Sequence, residues 1–126
     1  MKTSKGLQIT SYIIQGLVGI LFLFGAIGNL MESEMAIEQA TGLGYSADAV
    51  SHLGFILLVA ALLYLIPKTN IVGAAALTAW LGGAVATHMI HQDPLINSVA
   101  PVIFIVIVWL ALWLRNENLR KLFPFN

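Results

Sequence analysis

The side chains best suited to proton transfer or metal binding are the three histidines, His52, His88 and His91. Imidazole titrates near neutral pH, so it can exchange a proton, hydrogen-bond a carbonyl or hold a transition metal. His88 and His91 are three residues apart, a spacing that puts both on one side of a helix. Thr87 precedes them and Asp93 follows. Asn29 and Glu32 stand three apart in the same way near the end of the first apolar stretch. Two chemistries fit these residue types. In one, His88, His52, Asn29, Glu32 and Thr87 bind a small ligand such as a quinone. Histidine and asparagine would hydrogen-bond its carbonyls, Glu32 would relay protons, and Phe22, Phe55 and Trp80 would supply apolar walls. In the other, His88, His91 and His52 hold a metal, with Glu32 or Asp93 completing the shell. Met31, Met35 and Met89 fall at the same ends of the apolar stretches and would suit copper(I). A plainer reading competes with both: histidine, asparagine and tyrosine also serve at the headgroup level, hydrogen-bonding water and lipid.

The elements that must position these residues are helices. The chain is 59% hydrophobic and only 10% charged, with a mean hydropathy of +0.89. A soluble protein of this length could not hide that much apolar surface, so the lipid bilayer is the first expected partner. Four apolar stretches have the length of about 20 residues that a helix needs to cross a hydrocarbon core. They predict spans over about 12–31, 47–66, 71–90 and 94–114, joined by an acidic outer loop over 32–46 and followed by an amphipathic cytoplasmic tail over 115–126. The fold class expected is all-α: a polytopic membrane protein, one domain, built as a four-transmembrane-helix bundle. The first stretch has a basic start but no Ala-x-Ala-like cleavage site, so it reads as a retained span rather than a signal peptide.

Charge sets the orientation. Lys2, Lys5, Lys68, Arg115, Arg120 and Lys121 fall on one side of the predicted membrane. Glu32, Glu34, Glu38, Asp48 and Asp93 fall on the other, and only Glu117 breaks the pattern. Basic residues are retained inside, which predicts that both termini are cytoplasmic. The histidines then gather at the outer leaflet, with Asn29, Glu32, Thr87, Asn97 and Ser98.

Local signals refine the helices. Gly25, Gly28, Asn29 and Glu32 share one face, where glycine permits close approach. Residues 36–40 suggest a short extra helix ending near Gly42, a small outer cap over the bundle. Ser46, Asn70 and Asp93 are placed as N-caps of the second, third and fourth spans. The second-span cap puts His52 in the second turn. Tyr12, Tyr64 and Gln15 are expected near the inner interface, where Trp113 also falls. Ala75, Ala79, Gly83 and Thr87 recur every four positions and predict a tight helix–helix contact, inside the bundle or between protomers. Pro101 should kink the fourth span. Trp80 and Trp109, at mid-span, read as packing or lipid-facing residues.

Residues 16–30, GLVGILFLFGAIGNL, resemble the first span of the DoxX-like membrane proteins. The stretch from Leu65, Ile66, Pro67, Lys68 and Thr69 through Gly73 to Ala86, Thr87, His88 and Met89 resembles their second-to-third connection and third span. The resemblance implies a small four-span bundle with a redox-linked membrane role, since the family takes its name from a subunit tied to quinone-coupled thiosulfate oxidation. The chain departs from the pattern at Asn29, where many relatives carry a lysine.

The expected function is therefore a redox-linked accessory protein of a bacterial inner membrane. It would bind a quinone or a transition metal near the outer leaflet, as an oxidoreductase-associated subunit rather than a stand-alone enzyme. Two alternatives stay open: a structural or scaffolding subunit of a larger membrane complex, and an oligomeric small-solute transporter. Other membrane or redox proteins and further copies of the chain are the expected protein partners. Zero net charge gives no reason to expect nucleic acid. The absence of cysteine removes thiolate metal sites and thiol redox chemistry. No Gly-x-Ser-x-Gly, P-loop or dinucleotide fingerprint is present.

Overall fold

The computed structural model describes residues 3–124. The expected basic residue Lys2 and the end of the tail, Phe125 and Asn126, lie outside them. Six helices follow in order: α1 Lys5–Leu30, α2 Glu34–Gly42, α3 Ala49–Leu65, α4 Asn70–Ile90, α5 Leu95–Trp113 and α6 Glu117–Leu122. The fold is all-helical, with no strand among the described residues. Helices α1, α4 and α5 are long and apolar enough to cross a membrane, and α3 is a shorter apolar helix of 17 residues.

The four long helices form a ring in which α1 packs on α3, α3 on α4, α4 on α5 and α5 back on α1. Helices across the diagonals do not touch through their backbones. Large apolar side chains cover the outside, among them Leu17, Phe24 and Phe55, as expected of a bundle solvated by lipid. Hydrocarbon solvates apolar surface as well as the protein interior does, so close packing and hydrogen bonds must hold such helices together. Two glycines provide the close packing. A Cβ on Gly54 would meet the backbone nitrogen of Leu30 at 2.9 Å, and one on Gly73 would meet the backbone nitrogen of Tyr64 at 2.1 Å. These positions let α3 lie against α1 and α4 turn back tightly on the end of α3. The predicted glycines are elsewhere: nearest to a Cβ on Gly25 would be a Leu57 methyl, at 3.7 Å.

Hydrogen bonds lock the half of the bundle that holds the chain ends. The Gln15 amide donates to the Tyr64 carbonyl at 2.7 Å, joining α1 to α3. The Tyr64 hydroxyl crosses the diagonal and donates to the Val108 carbonyl of α5 at 2.9 Å. Ser11 donates to the Ala111 carbonyl and accepts from Arg115 at 2.7 Å. Trp109 donates to Thr78 Oγ1 at 2.7 Å, joining α5 to α4. Gln15 and Tyr64, expected near the inner interface, are both buried in the bundle. Each satisfies a polar group where no water is available, which matters more in lipid than at a surface. Tyr12 does stay exposed, with the Arg115 guanidinium 4.0 Å from its ring centre.

Several expected helix boundaries differ. α1 begins at Lys5 rather than Tyr12, because Ser4 caps it by accepting from the Leu7 N–H. α2 runs longer than expected, since Ser33 caps it through the Ala36 N–H. None of the three predicted span caps forms. Ser46 lies in a turn that delays α3 to Ala49, with Asp48 at its N-cap position and no side-chain cap bond. Asn70 is the first residue of α4, and Thr69 turns back to the Leu63 carbonyl instead of capping. α5 starts at Leu95 after Pro94, without a side-chain cap. α5 continues through Pro101 as one helix.

Candidate functional site

α1 and α4 end in the same way. In each, the residue two past the last helical one takes a left-handed conformation, Glu32 at φ 52° and Gln92 at φ 60°. The next N–H then reaches back to the last turn, Ser33 to the Gly28 carbonyl and Asp93 to the His88 carbonyl. This Schellman-type ending turns the chain sharply without glycine. After α4 it folds Asp93 back over the helix end.

That fold-back builds the most polar cluster at this end of the bundle. The Asp93 carboxylate takes His88 Nδ1 on one oxygen and His91 Nδ1 on the other, each at 2.7 Å. These hydrogen bonds, His88's first and His91's second, hold the Asp93 carboxyl below the ordinary carboxylate range. An ionised carboxylate only accepts, so each imidazole carries its proton on Nδ1. Nε2 of His88 is left over, an acceptor when the ring is neutral and a donor when it is protonated.

His88 faces a cavity of about 550 Å³, within the usual range for small-molecule sites. α3 and α4 form its floor through Leu53, Ile56, Ala76, Ala79, Trp80 and Gly83, while α2 and the following turn add Ala36, Gln39, Ala40, Leu43 and Tyr45. Its polar rim is Asn29, Tyr45, Thr87 and His88. Thr87 gives its one hydroxyl proton to the Gly83 carbonyl at 2.8 Å, so it must accept from the Tyr45 hydroxyl at 2.6 Å. Asn29 has no side-chain hydrogen bond among the described residues. The Trp80 indole donates to the Leu53 carbonyl at 3.2 Å and stands as a fixed apolar wall. Ile56, Ala79 and Gly83 are exposed on the outer surface of the helices, so the cavity opens sideways rather than along the bundle axis.

Of the five residues expected to bind a ligand, Asn29, Thr87 and His88 line this cavity. His52 and Glu32 do not. With α3 starting at Ala49, His52 falls in the first turn, exposed. Glu32 is the exposed left-handed residue beyond α1, so it no longer shares a helical face with Asn29. Ser98 is buried and Asn97 exposed on α5, both away from the cavity. Phe22 belongs to the core, edge-on to Phe104 with ring centres 5.7 Å apart, and Phe55 points outward. His88 and His91 meet through Asp93, but no group of three or more His, Cys, Asp or Glu among the described residues is arranged to hold a metal. Met31, Met35 and Met89 are all exposed.

Within the chain, the small-residue stripe on α4 borders the cavity, which Ala79, Gly83 and Thr87 line. The α4 packing face is Gly73, Ala74, Leu77 and Leu81. Sequence reasoning missed Tyr45 and the α2 residues of the wall. Nothing in the spacing of Tyr45 pointed to Thr87.

A second, polar cavity of about 410 Å³ lies at the opposite end, where Gln8, Tyr12, Asn70 and Arg115 meet Asn116, Glu117 and Asn118.

No curated protein and no solved structure matches the chain. A family model does: it covers residues 13–111, from the first apolar helix through nearly all of α5, and takes in every residue of the cavity. With its outward apolar helices, the chain is an integral membrane protein and belongs to the DoxX-like family.

Proposed function

We propose that this protein is a redox-linked accessory protein that takes a lipid-soluble, carbonyl-bearing ligand of the quinone class in the cavity beneath α2. The observation that carries the reading is the pairing of an apolar, sideways-open cavity with a rim of exchangeable hydrogen-bonding groups. A ligand dissolved in lipid could reach Trp80 and Gly83 without crossing water. The unpaired Asn29 amide can donate to a carbonyl oxygen. His88 Nε2 suits both redox states of such a ligand: protonated, it donates to a carbonyl; neutral, it accepts from a hydroxyl. His91 is half exposed, with 44% of its side chain accessible, and Asp93 joins it to His88. Asp93 holds the His88 ring by Nδ1, so proton exchange with the ligand runs through Nε2.

In this reading all four long helices span a bacterial inner membrane, with both termini cytoplasmic and the cavity in the outer leaflet. The basic residues support that orientation. α3 is the short one, about 25 Å at 1.5 Å per residue, and the turn at residues 46–48 extends its reach.

The test is native mass spectrometry of the protein purified in mild detergent, beside His88→Ala. A quinone-sized mass on the unsubstituted chain that is lost in the variant, with the helical circular dichroism unchanged, is the expected result. A bare chain in both, or a variant that only melts earlier, would reject the ligand site and favour the scaffolding role.

A further inference from the structure

The tail borders a groove at the other end of the bundle. α6 packs on α5 through Leu119, only 4% exposed, and leaves a groove of about 660 Å³ along the face of α5. Ile105, Trp109 and Trp113 line it from α5, and Leu119 and Phe123 from the tail. The chain is fixed there: Asn116 caps α6 through the Leu119 N–H at 3.0 Å, and the Trp113 indole donates to the Phe123 carbonyl at 2.8 Å. The groove is almost wholly apolar. It is continuous with the lipid-facing surface, because Val106 is 59% and Leu110 41% exposed.

What sets this groove apart from ordinary lipid-facing surface is the charge beside it, on residues that follow the lining residue Leu119 along α6. Arg120 and Lys121 stand together in the last turn of α6. Arg120 is held in place: its Nη2 donates to the Leu114 carbonyl at 3.0 Å and to Thr3 Oγ1, and its guanidinium carbon is 5.9 Å from the ring centre of Trp113. Its Nε is buried with no acceptor among the described residues. Lys121 is exposed beside it. Glu117 is the one acidic residue of the tail.

We propose that this groove is a binding site for one anionic phospholipid, its acyl chain lying along Trp109 and Trp113 and its phosphate at Arg120 and Lys121. The apolar channel fits a hydrocarbon chain, and the two cations beside it fit a net negative headgroup. A zwitterionic lipid would fill the channel equally well but gain less from the cations. The site does not depend on the ligand bound beneath α2.

The full chain carrying Trp80→Phe, so that Trp109 and Trp113 report, is reconstituted in phosphatidylcholine vesicles. A minority of the lipid is dibrominated phosphatidylglycerol or, in parallel, dibrominated phosphatidylcholine. The expected result is that quenching reports a preference of about fivefold for the anionic lipid. Arg120→Gln with Lys121→Gln should abolish it. Equal quenching by the two lipids overturns the site, and so does a preference that survives removal of both cations. A second measurement needs no variant: native mass spectrometry of the unsubstituted chain from detergent holding equal amounts of the two unbrominated lipids. One retained phosphatidylglycerol supports the site; no retention, or an even mixture, overturns it.

Discussion

Gly54 lies against Asn29 so closely that a Cβ at position 54 would sit 2.6 Å from the Asn29 Cβ. The same Cβ would meet the Ala26 carbonyl oxygen at 3.0 Å, so neither side chain nor backbone has room to yield. The contact that docks α3 on α1 therefore also sets where Asn29 enters the cavity. Gly54→Ala should push the helices apart and destabilise the protein by about 1–3 kcal/mol, the usual range for overpacking. Gly82→Ala is the control, because nothing lies within 4 Å of its Cβ position. There the gain in helix propensity should stabilise by about 0.5–1 kcal/mol. Thermal unfolding in one detergent checks both; equal melting points for the two variants would show that the close approach is not limiting.

Asp93 links stability to acid. Its carboxyl is held below the ordinary carboxylate range by the hydrogen bond from His88, and next by that from His91. A carboxyl more acidic in the folded than in the unfolded chain binds fewer protons when folded. Its contribution is then fully present above the ordinary carboxylate pKa, and is lost as the pH falls through the lower folded value. Below about pH 4 the unsubstituted protein should lose melting temperature more steeply than Asp93→Asn. Melting curves over a pH series measure this, and parallel slopes for the two proteins would rule it out.

The sequence showed the helices more clearly than their contacts. Apolar runs and the breaks at Pro67 and at residues 91–94 located all four long helices within a few residues, apart from the early start of α1. Spacing also shows which residues share a face, but not what that face meets. The stripe of Ala79, Gly83 and Thr87 was visible, yet whether it touched a helix or bordered a cavity depended on where α2 folds. Gln15 and Tyr64 looked interfacial because polar groups near span ends usually are. Their burial depends on each other and on the Val108 carbonyl, a partnership between positions 49 and 44 residues apart in sequence. Asp93 had the position of an N-cap, but the two imidazoles compete for the same carboxylate and hold it. His88, Thr87 and Asn29 meet at the cavity because they end long helices on the same side. His52 and Glu32 fall outside the cavity because α3 starts two residues later than expected and α1 ends before Glu32.

The left-handed residues after α1 and α4 predict a gain. A residue with a Cβ is disfavoured at positive φ, and glycine is the usual occupant of this helix-ending position. Glu32→Gly and Gln92→Gly should each raise stability by about 0.5–1 kcal/mol, the strain relieved exceeding the extra chain entropy of glycine. Glu32→Gly also probes the site. Glu32 is exposed and does not line the cavity, so quinone retention should match the unsubstituted chain. Retention lost without loss of stability would return Glu32 to the ligand's surroundings.

Orientation has a direct test, because the chain has no cysteine to interfere. Thr41 is exposed at the end of α2, and Asn118 is exposed on α6. The two helices lie at opposite ends of the bundle, α2 beside the α1 C-terminus and α6 beyond the α5 C-terminus. With Lys5, Lys68, Arg115, Arg120 and Lys121 kept inside, α2 should be outside. In intact cells, Thr41→Cys should react with a membrane-impermeant maleimide, and Asn118→Cys should react only after the membrane is opened. Both sites lie away from the buried core, so neither substitution should disturb the fold. The reverse labelling pattern would invert the protein and put the cavity beneath α2 in the inner leaflet. Labelling of both sites in intact cells would mean an even number of crossings between them, so that one of α3, α4 and α5, α3 being the shortest, does not cross.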